Sequence, residues 1–291
     1  MAQSPIRERQ DQPEMIMLIR AMFTSNARAQ RWEGLRTGIS VATAVAGLVA
    51  AFVSSIAIPV AVLGVIWGFL YSAGFAAVLG RELRRAAVIQ QMLCAKLFDL
   101  PWNPVLFGDP IGQEEINRLA KQSTAPDEMV FGYFEVRDFP RPYDVLACQM
   151  QSLGWGARIR LRYANLLLVV VLAWALLGLL IGGLANLTVV QLLMRWYVPS
   201  LGALLFGLDA YRNHRDVAGE RMRVLALLRN RVAGQTDEQE LLRFAGEVED
   251  ALFLSRLKVA RVPDIFFLKF RNADSEDFSR AMDDMEKKFR P

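Results

Sequence analysis

Polar and apolar positions are distributed unevenly along this chain. Positions 37–80 make a run of 44 residues without one Asp, Glu, Lys, Arg or His, and positions 163–208 make a run of 46 with a single charge, Arg195. Two long apolar blocks on polar flanks are a membrane signature. A helix rises about 1.5 Å per residue and the hydrocarbon core is about 30 Å thick, so roughly 20 residues cross once. Each block is about twice that length and must fold back on itself. Ile58-Pro59 predicts the first turn, because proline lacks an N–H and disfavours helix in the residue before it. The first two spans are then 37–57 and 60–80, and Gly182, Gly183 and Asn186 predict a second turn after a third span at 163–181.

Arg195 decides where the fourth span begins. A mid-bilayer arginine costs about 2.5–3.5 kcal/mol on insertion scales, while Trp and Tyr favour the headgroup level. Arg195 is followed by Trp196, Tyr197 and Pro199. This predicts a segment in the outer interface at 187–195, then a short span at 196–208 that continues as helix beyond the membrane. The alternative is one span at 187–208 with Arg195 facing protein or water, and the topology is the same.

The polar segments also read as helix. In 1–36, Met15, Leu18, Ile19, Met22 and Phe23 fall on one face. Residues 81–99 extend the second span, helix is expected at 113–123, and another runs from Tyr143 into the third span. The fourth span continues to about Val232. Thr236 with Gln239 forms a capping box for a helix whose buried face is Leu241, Ala245, Val248 and Leu252, and Ser275 can cap a last one. Residues 100–112 and 124–142, rich in Pro, Gly and Asp, read as linkers, with a weak strand signal at 131–136. The predicted fold is an all-α membrane protein. Two transmembrane hairpins (37–80 and 163–208) join a mainly helical cytoplasmic domain built from 1–36, 81–162 and 209–291.

Basic residues at the span ends set the orientation. Arg28, Arg31, Arg36, Arg81, Arg84, Arg85, Arg158, Arg160, Arg162, Arg212 and Arg215 flank the spans on one side, and Arg195 stands alone on the other. Eleven against one places both termini and the central segment inside. The 36-residue polar N-terminus argues against a cleaved signal peptide. A net charge of +4 raises the question of nucleic acid, but residues 81–162 carry 11 basic and 10 acidic side chains and residues 209–291 carry 16 of each. A nucleic-acid polymer needs a basic face, which this distribution lacks. Cys94 and Cys148 fall in predicted cytoplasmic segments and are expected to be reduced.

Little in the sequence carries catalysis. His214, the one histidine, sits among Arg212, Asn213, Arg215 and Asp216, which predicts a solvated helix surface. There is no Cys/His cluster for a metal, no phosphate-cradling Gly-rich loop and no nucleophile–histidine pair. Asp99, Asp109, Glu114 and Glu115 lie near one another in sequence but read as solvated loop and helix start. No enzyme and no cofactor is expected. In the apolar blocks Ser40, Thr43, Gly47 and Ser54 recur near helical period, a pattern that suits either a water-filled path or close helix packing. Gly64 with Gly68, and Gly178 with Gly182, are small-residue pairs that favour helix association.

Four short stretches carry a family resemblance. Phe98-Asp99-Leu100-Pro101-Trp102-Asn103 resembles the Leu-Pro-Trp-Asn element of the SMODS-associated four-transmembrane effectors. The run Gly154-Trp155-Gly156-Ala157-Arg158-Ile159-Arg160-Leu161-Arg162-Tyr163 is similar to their Trp- and Arg-rich entry to the third span. Pro199 stands where the family's fourth span carries prolines. Leu252-Phe253, Arg256 and Val262-Pro263-Asp264-Ile265-Phe266-Phe267 resemble their C-terminal pattern. Phe23 replaces a tyrosine expected in the N-terminal helix, and Ile265 a frequent tryptophan.

This resemblance implies an effector of a bacterial CBASS antiphage system. There a cGAS/DncV-like nucleotidyltransferase makes a cyclic oligonucleotide after infection. The four-span protein, expected to form a homo-oligomer in the inner membrane, responds by permeabilising the bilayer, which causes abortive infection. The alternative is a non-conducting membrane scaffold that recruits partners. A cyclic oligonucleotide would want arginines and an aromatic stacking surface, and Trp102, Asn103, Arg256 and Arg261 are the candidates. A structural turn at Trp102 and Asn103, and headgroup or carboxylate pairing of the arginines, are the competing readings.

Overall fold

The computed structural model describes residues 5–50, 53–70, 74–135, 137, 139–234, 237–258, 262–263, 265–267 and 269–270. Among them there is no strand; the chain is all-α. In order, the helices are α1 (Pro5–Arg9), α2 (Pro13–Ala50), α3 (Ala57–Leu70), α4 (Ala76–Phe98), α5 (Pro104–Phe107), α6 (Gln113–Lys121), α7 (Asp127–Val130), α8 (Tyr143–Leu184), α9 (Val189–Leu192), α10 (Val198–Gly234) and α11 (Glu238–Lys258). A 3₁₀ turn at Ser54–Ile56 precedes α3, and a π-helical turn at Leu193–Tyr197 joins α9 to α10. The weak strand signal at 131–136 gives turn and irregular backbone where it is described.

The chain divides into two compact units. A polar unit comprises Met1–Gln30, Arg81–Arg160 and Asp216–Pro291; an apolar unit comprises Arg31–Gly80 and Leu161–Arg215. All four chain crossings between units fall inside helices: α2, α4, α8 and α10 each belong partly to one and partly to the other. The amphipathic N-terminal helix and the first apolar segment are thus one 38-residue helix. Pro13 opens it, where a missing N–H costs nothing, with Glu14 beside it on the positive helix end.

The first reverse turn falls earlier than Ile58-Pro59. Helix α2 ends at Ala50, and Pro59 is the third residue of α3. The first turn of a helix has unpaired N–H groups in any case, so proline starts this helix instead of breaking the previous one. The second turn lies at Ala185-Asn186, with Asn186 at φ +50°. Thr188 then caps α9: its hydroxyl accepts from the Gln191 N–H (3.3 Å) and the Gln191 side chain accepts from the Thr188 N–H (3.0 Å).

The core of the polar unit draws on every one of its segments. Met15, Leu18, Ile19 and Met22 are buried on α2, at the spacing of one helix face, and Phe23 is half-buried. Ile89, Leu93, Leu97 and Phe98 are buried on α4, Ile116 and Leu119 on α6, and Leu146 on α8. On α11 the buried face is Leu241, Ala245, Val248 and Leu252, as the spacing predicts, joined by Phe253, whose ring lies 4.9 Å from that of Phe107. Thr236 and Ser275 lie outside the described residues; the Gln239 N–H is bonded by Asp237 (3.0 Å).

The apolar unit shows the reverse pattern. Most exposed large apolar side chains among the described residues lie at positions 35–70 or 161–205. Among the described residues two helices are long and apolar enough to cross a membrane, Tyr143–Leu184 and the continuous run Val189–Gly234, and only 11% and 6% of their most apolar stretches are buried against protein. A core helix of a water-soluble domain would be covered.

Candidate functional site

The four ligand-binding candidates do not form one cluster. Trp102 donates its indole N–H to the Gly108 carbonyl (2.9 Å) and meets the Phe107 ring edge-on at 5.0 Å. Asn103 caps α5, accepting from the Leu106 N–H, and donates to Asp250 on α11 (3.2 Å). Gly108 ends α5 at φ +73°, which favours glycine, and a Cβ there would touch the Arg84 guanidinium at 3.4 Å. This stretch folds into a tight loop docked on α11. Arg256 sits elsewhere on α11, bonded to Gln91 (3.1 Å) and 3.5 Å from Glu249, both partners almost wholly buried. Arg261 lies outside the described residues.

Arg256 does line a cavity, of about 190 Å³, inside the polar unit. Its wall also holds Arg160 of α8 and Arg221 of α10, the polar side chains Asn26, Gln90, Gln151 and Ser152, and the rings of Phe23, Tyr133 and Trp155. Arg160 and Arg221 are 5% and 8% exposed, so their guanidinium groups belong to the interior. Arg221 donates from Nε to Ser255 (3.1 Å) and from a terminal nitrogen to the Ser152 carbonyl (3.4 Å). It reaches there because residue 156 is glycine: a Cβ at Gly156 would fall 1.8 Å from an Arg221 terminal nitrogen. Among the described residues the wall carries three arginines and no carboxylate.

The sequence reading missed this site. It treated Arg160 as a topology marker and gave Arg221 no part. The signal was the Trp155-Gly156 pair four and five residues before Arg160, which faces the same wall.

Small residues of the apolar unit meet large ones. Ser40 accepts from the Trp67 indole (3.2 Å), Thr43 bonds the Ile39 carbonyl (2.8 Å), and a Cβ on Gly64 would touch the Thr43 methyl at 3.7 Å. A Cβ on Gly47 would stand 2.9 Å from that of Pro199. Gly178 receives the Trp196 ring and Gly182 the Leu192 side chain, at 2.4 and 2.9 Å from their ideal Cβ positions. Ser54 opens the 3₁₀ turn and Gly68 lies in α3. His214 is not on a solvated surface: it is 6% exposed, its ring edge-on to Tyr163 at 4.9 Å, because α10 packs there against α8.

Two of the carboxylates near position 100, Asp99 and Glu115, are held by arginines. Asp99 takes a forked bond from Arg9 (2.6 and 3.1 Å), and Glu115 pairs with Arg118 and, at 3.8 Å, with Arg85. Among the described residues no three His, Cys, Asp or Glu side chains converge as a metal site. Cys94 and Cys148 are free and buried, and burial pushes both thiols well above their ordinary range.

Residues 4–285 match the SMODS-associating 4TM effector domain. A protein of Bacillus cereus (strain VD146), named as a probable CBASS effector molecule, is 21% identical over 282 residues, covering 92% of this chain and 94% of its own. No solved structure matches.

Proposed function

Since the chain belongs to the SMODS-associating 4TM effector family, and so has the role of a CBASS effector, we propose that it acts by permeabilising the bacterial inner membrane on receipt of a cyclic oligonucleotide. The family is one of membrane effectors, not a known enzyme class. On this reading both hairpins span the bilayer, giving four crossings with both termini and the polar unit in the cytoplasm. The signal comes from a partner nucleotidyltransferase, copies of the chain assemble, and the infected cell dies.

The observation that carries the proposal is the exposed apolar surface on helices that continue unbroken into a polar, well-packed unit. Such surface is stable in lipid and unstable in water. Continuous helices also give the polar unit a mechanical hold on the apolar one. A resting effector must be tolerated, so the ligand has to reverse an equilibrium, which takes about 5.5 kcal/mol of differential affinity for a full reversal.

Dye-loaded liposomes of anionic lipid, carrying the full chain, test this. Release is expected when the synthase product is added and not before. Equal release with and without it overturns gating; no release, with the nucleotide bound, favours the recruiting scaffold.

A further inference from the structure

The cavity of the polar unit combines three features that suit an anionic, aromatic ligand. It holds three arginines drawn from three helices, a wall of aromatic rings, and space. Each guanidinium carries five N–H donors in a planar arrangement. Their planar fork matches phosphate oxygens, and aromatic rings offer faces for stacking and for cation–π contact. We infer that this cavity is the receptor site for a phosphodiester that carries a planar heteroaromatic ring, with Arg160, Arg221 and Arg256 holding phosphate and Phe23, Tyr133 and Trp155 lying against the ring. The inference rests on the reading that a nucleotide signal activates the protein.

The placement of these residues gives the site its consequence. Phe23 and Asn26 come from α2, Leu83 to Gln90 from α4, Trp155 and Arg160 from α8, and Arg221 from α10. These are the four helices that run on into the apolar unit. A single anion drawing in Arg160 and Arg221 therefore acts on α8 and α10 together. Arg256 joins from α11, where Glu249 balances it at 3.5 Å, so phosphate there competes with a carboxylate already in place. Cavity volume limits the occupant: about 190 Å³ takes one ring and its phosphate, leaving the rest of a larger molecule outside.

Gly156 supplies a clean test. Its replacement by alanine should stabilise α8 as a helix while pushing the Arg221 guanidinium, 1.8 Å from the new Cβ, out of its place. The full-length protein in detergent is titrated with cyclic di-AMP, cyclic di-GMP, cyclic GMP–AMP and cyclic tri-AMP, and in a parallel arm with short-chain phosphatidylglycerol, which offers the same phosphodiester without a base. At least one nucleotide is expected to bind. Arg160→Ala and Arg221→Ala should each weaken it about tenfold or more. Gly156→Ala should weaken it too, with the protein still folded as judged by its helical circular dichroism.

Nucleotide binding unchanged in all three variants overturns the inference, as does the absence of binding by every nucleotide, or arginine-dependent binding of phosphatidylglycerol alone. Liposome leakage separates this from the functional reading. Nucleotide-triggered leakage that survives in all three variants removes the site and leaves the function. Arginine-dependent binding without leakage leaves the site and removes the function.

Discussion

Glu249 and Arg256 stand 3.5 Å apart with side chains 3% and 9% exposed, and Gln149 donates to the other Glu249 oxygen at 3.2 Å. Removing one member of a buried pair strands the other charge, at a cost of about 3–5 kcal/mol, while replacing both with apolar groups is often neutral. Glu249→Leu should therefore lower the melting temperature more than the double variant Glu249→Leu/Arg256→Leu; equal loss in a thermal melt would show that the two do not act as a pair. Asp99 gives a pH dependence. The hydrogen bond from Arg9, and the charges of Arg9 and Arg141, hold its carboxyl below its ordinary value of 3.8 against the opposing effect of burial. A depressed carboxyl contributes stability above its unfolded pKa, lost as pH falls through the folded one. Because the pair is partly exposed, the loss should stay below about 1 kcal/mol, read as a lower amide protection factor in α1, relative to the intrinsic rate at each pH, on acidification below about pH 4. Neither the Arg9–Asp99 pair nor the Gln149 bond to Glu249 was legible in the sequence. Arg9 and Asp99 are 90 positions apart, and nothing local links Glu249 to Gln149. Arg221 was hidden for the same reason, since only the fold brings it over Gly156.

At the scale of elements much more was legible, because helix periodicity and apolar run length are local properties. The buried faces of α2 and α11 fall where spacing put them, and α8 runs from Tyr143 through the third apolar segment as one helix. The first reverse turn was misplaced because proline breaks a helix only from its interior. The Thr188 capping box went unread although Thr188 and Gln191 show its spacing. Thr188→Ala should cost about 1 kcal/mol, measurable as a small drop in detergent melting temperature. Gly47 faces Pro199, whose ring cannot swing aside, so Gly47→Val must displace a helix. A loss of about 1–3 kcal/mol is expected. Unchanged melting would place the α2–α10 contact elsewhere.

For the whole molecule, the testable quantity is sidedness. Cysteines introduced at Asn186, in the turn of the second hairpin, and at Gln122, after α6, should react with impermeant reagents from opposite faces of the membrane. Cys94 and Cys148 are buried with raised thiol pKa values, so the native chain contributes little background. Labelling of both sites from one face would dismantle the four-crossing arrangement. The two long apolar helices were legible from run lengths. The cavity was not, since it gathers residues from Phe23 to Phe267.

The interleaving of the two units also fixes an order of events during synthesis. The polar unit is assembled from three stretches separated by apolar ones, and its cavity borrows from the first stretch, the second and the last. A ribosome must therefore deliver both hydrophobic stretches before α11 and the residues beyond it close the pocket. If the cavity is the receptor site proposed above, a nascent chain has no finished receptor and cannot be triggered while it is still being made.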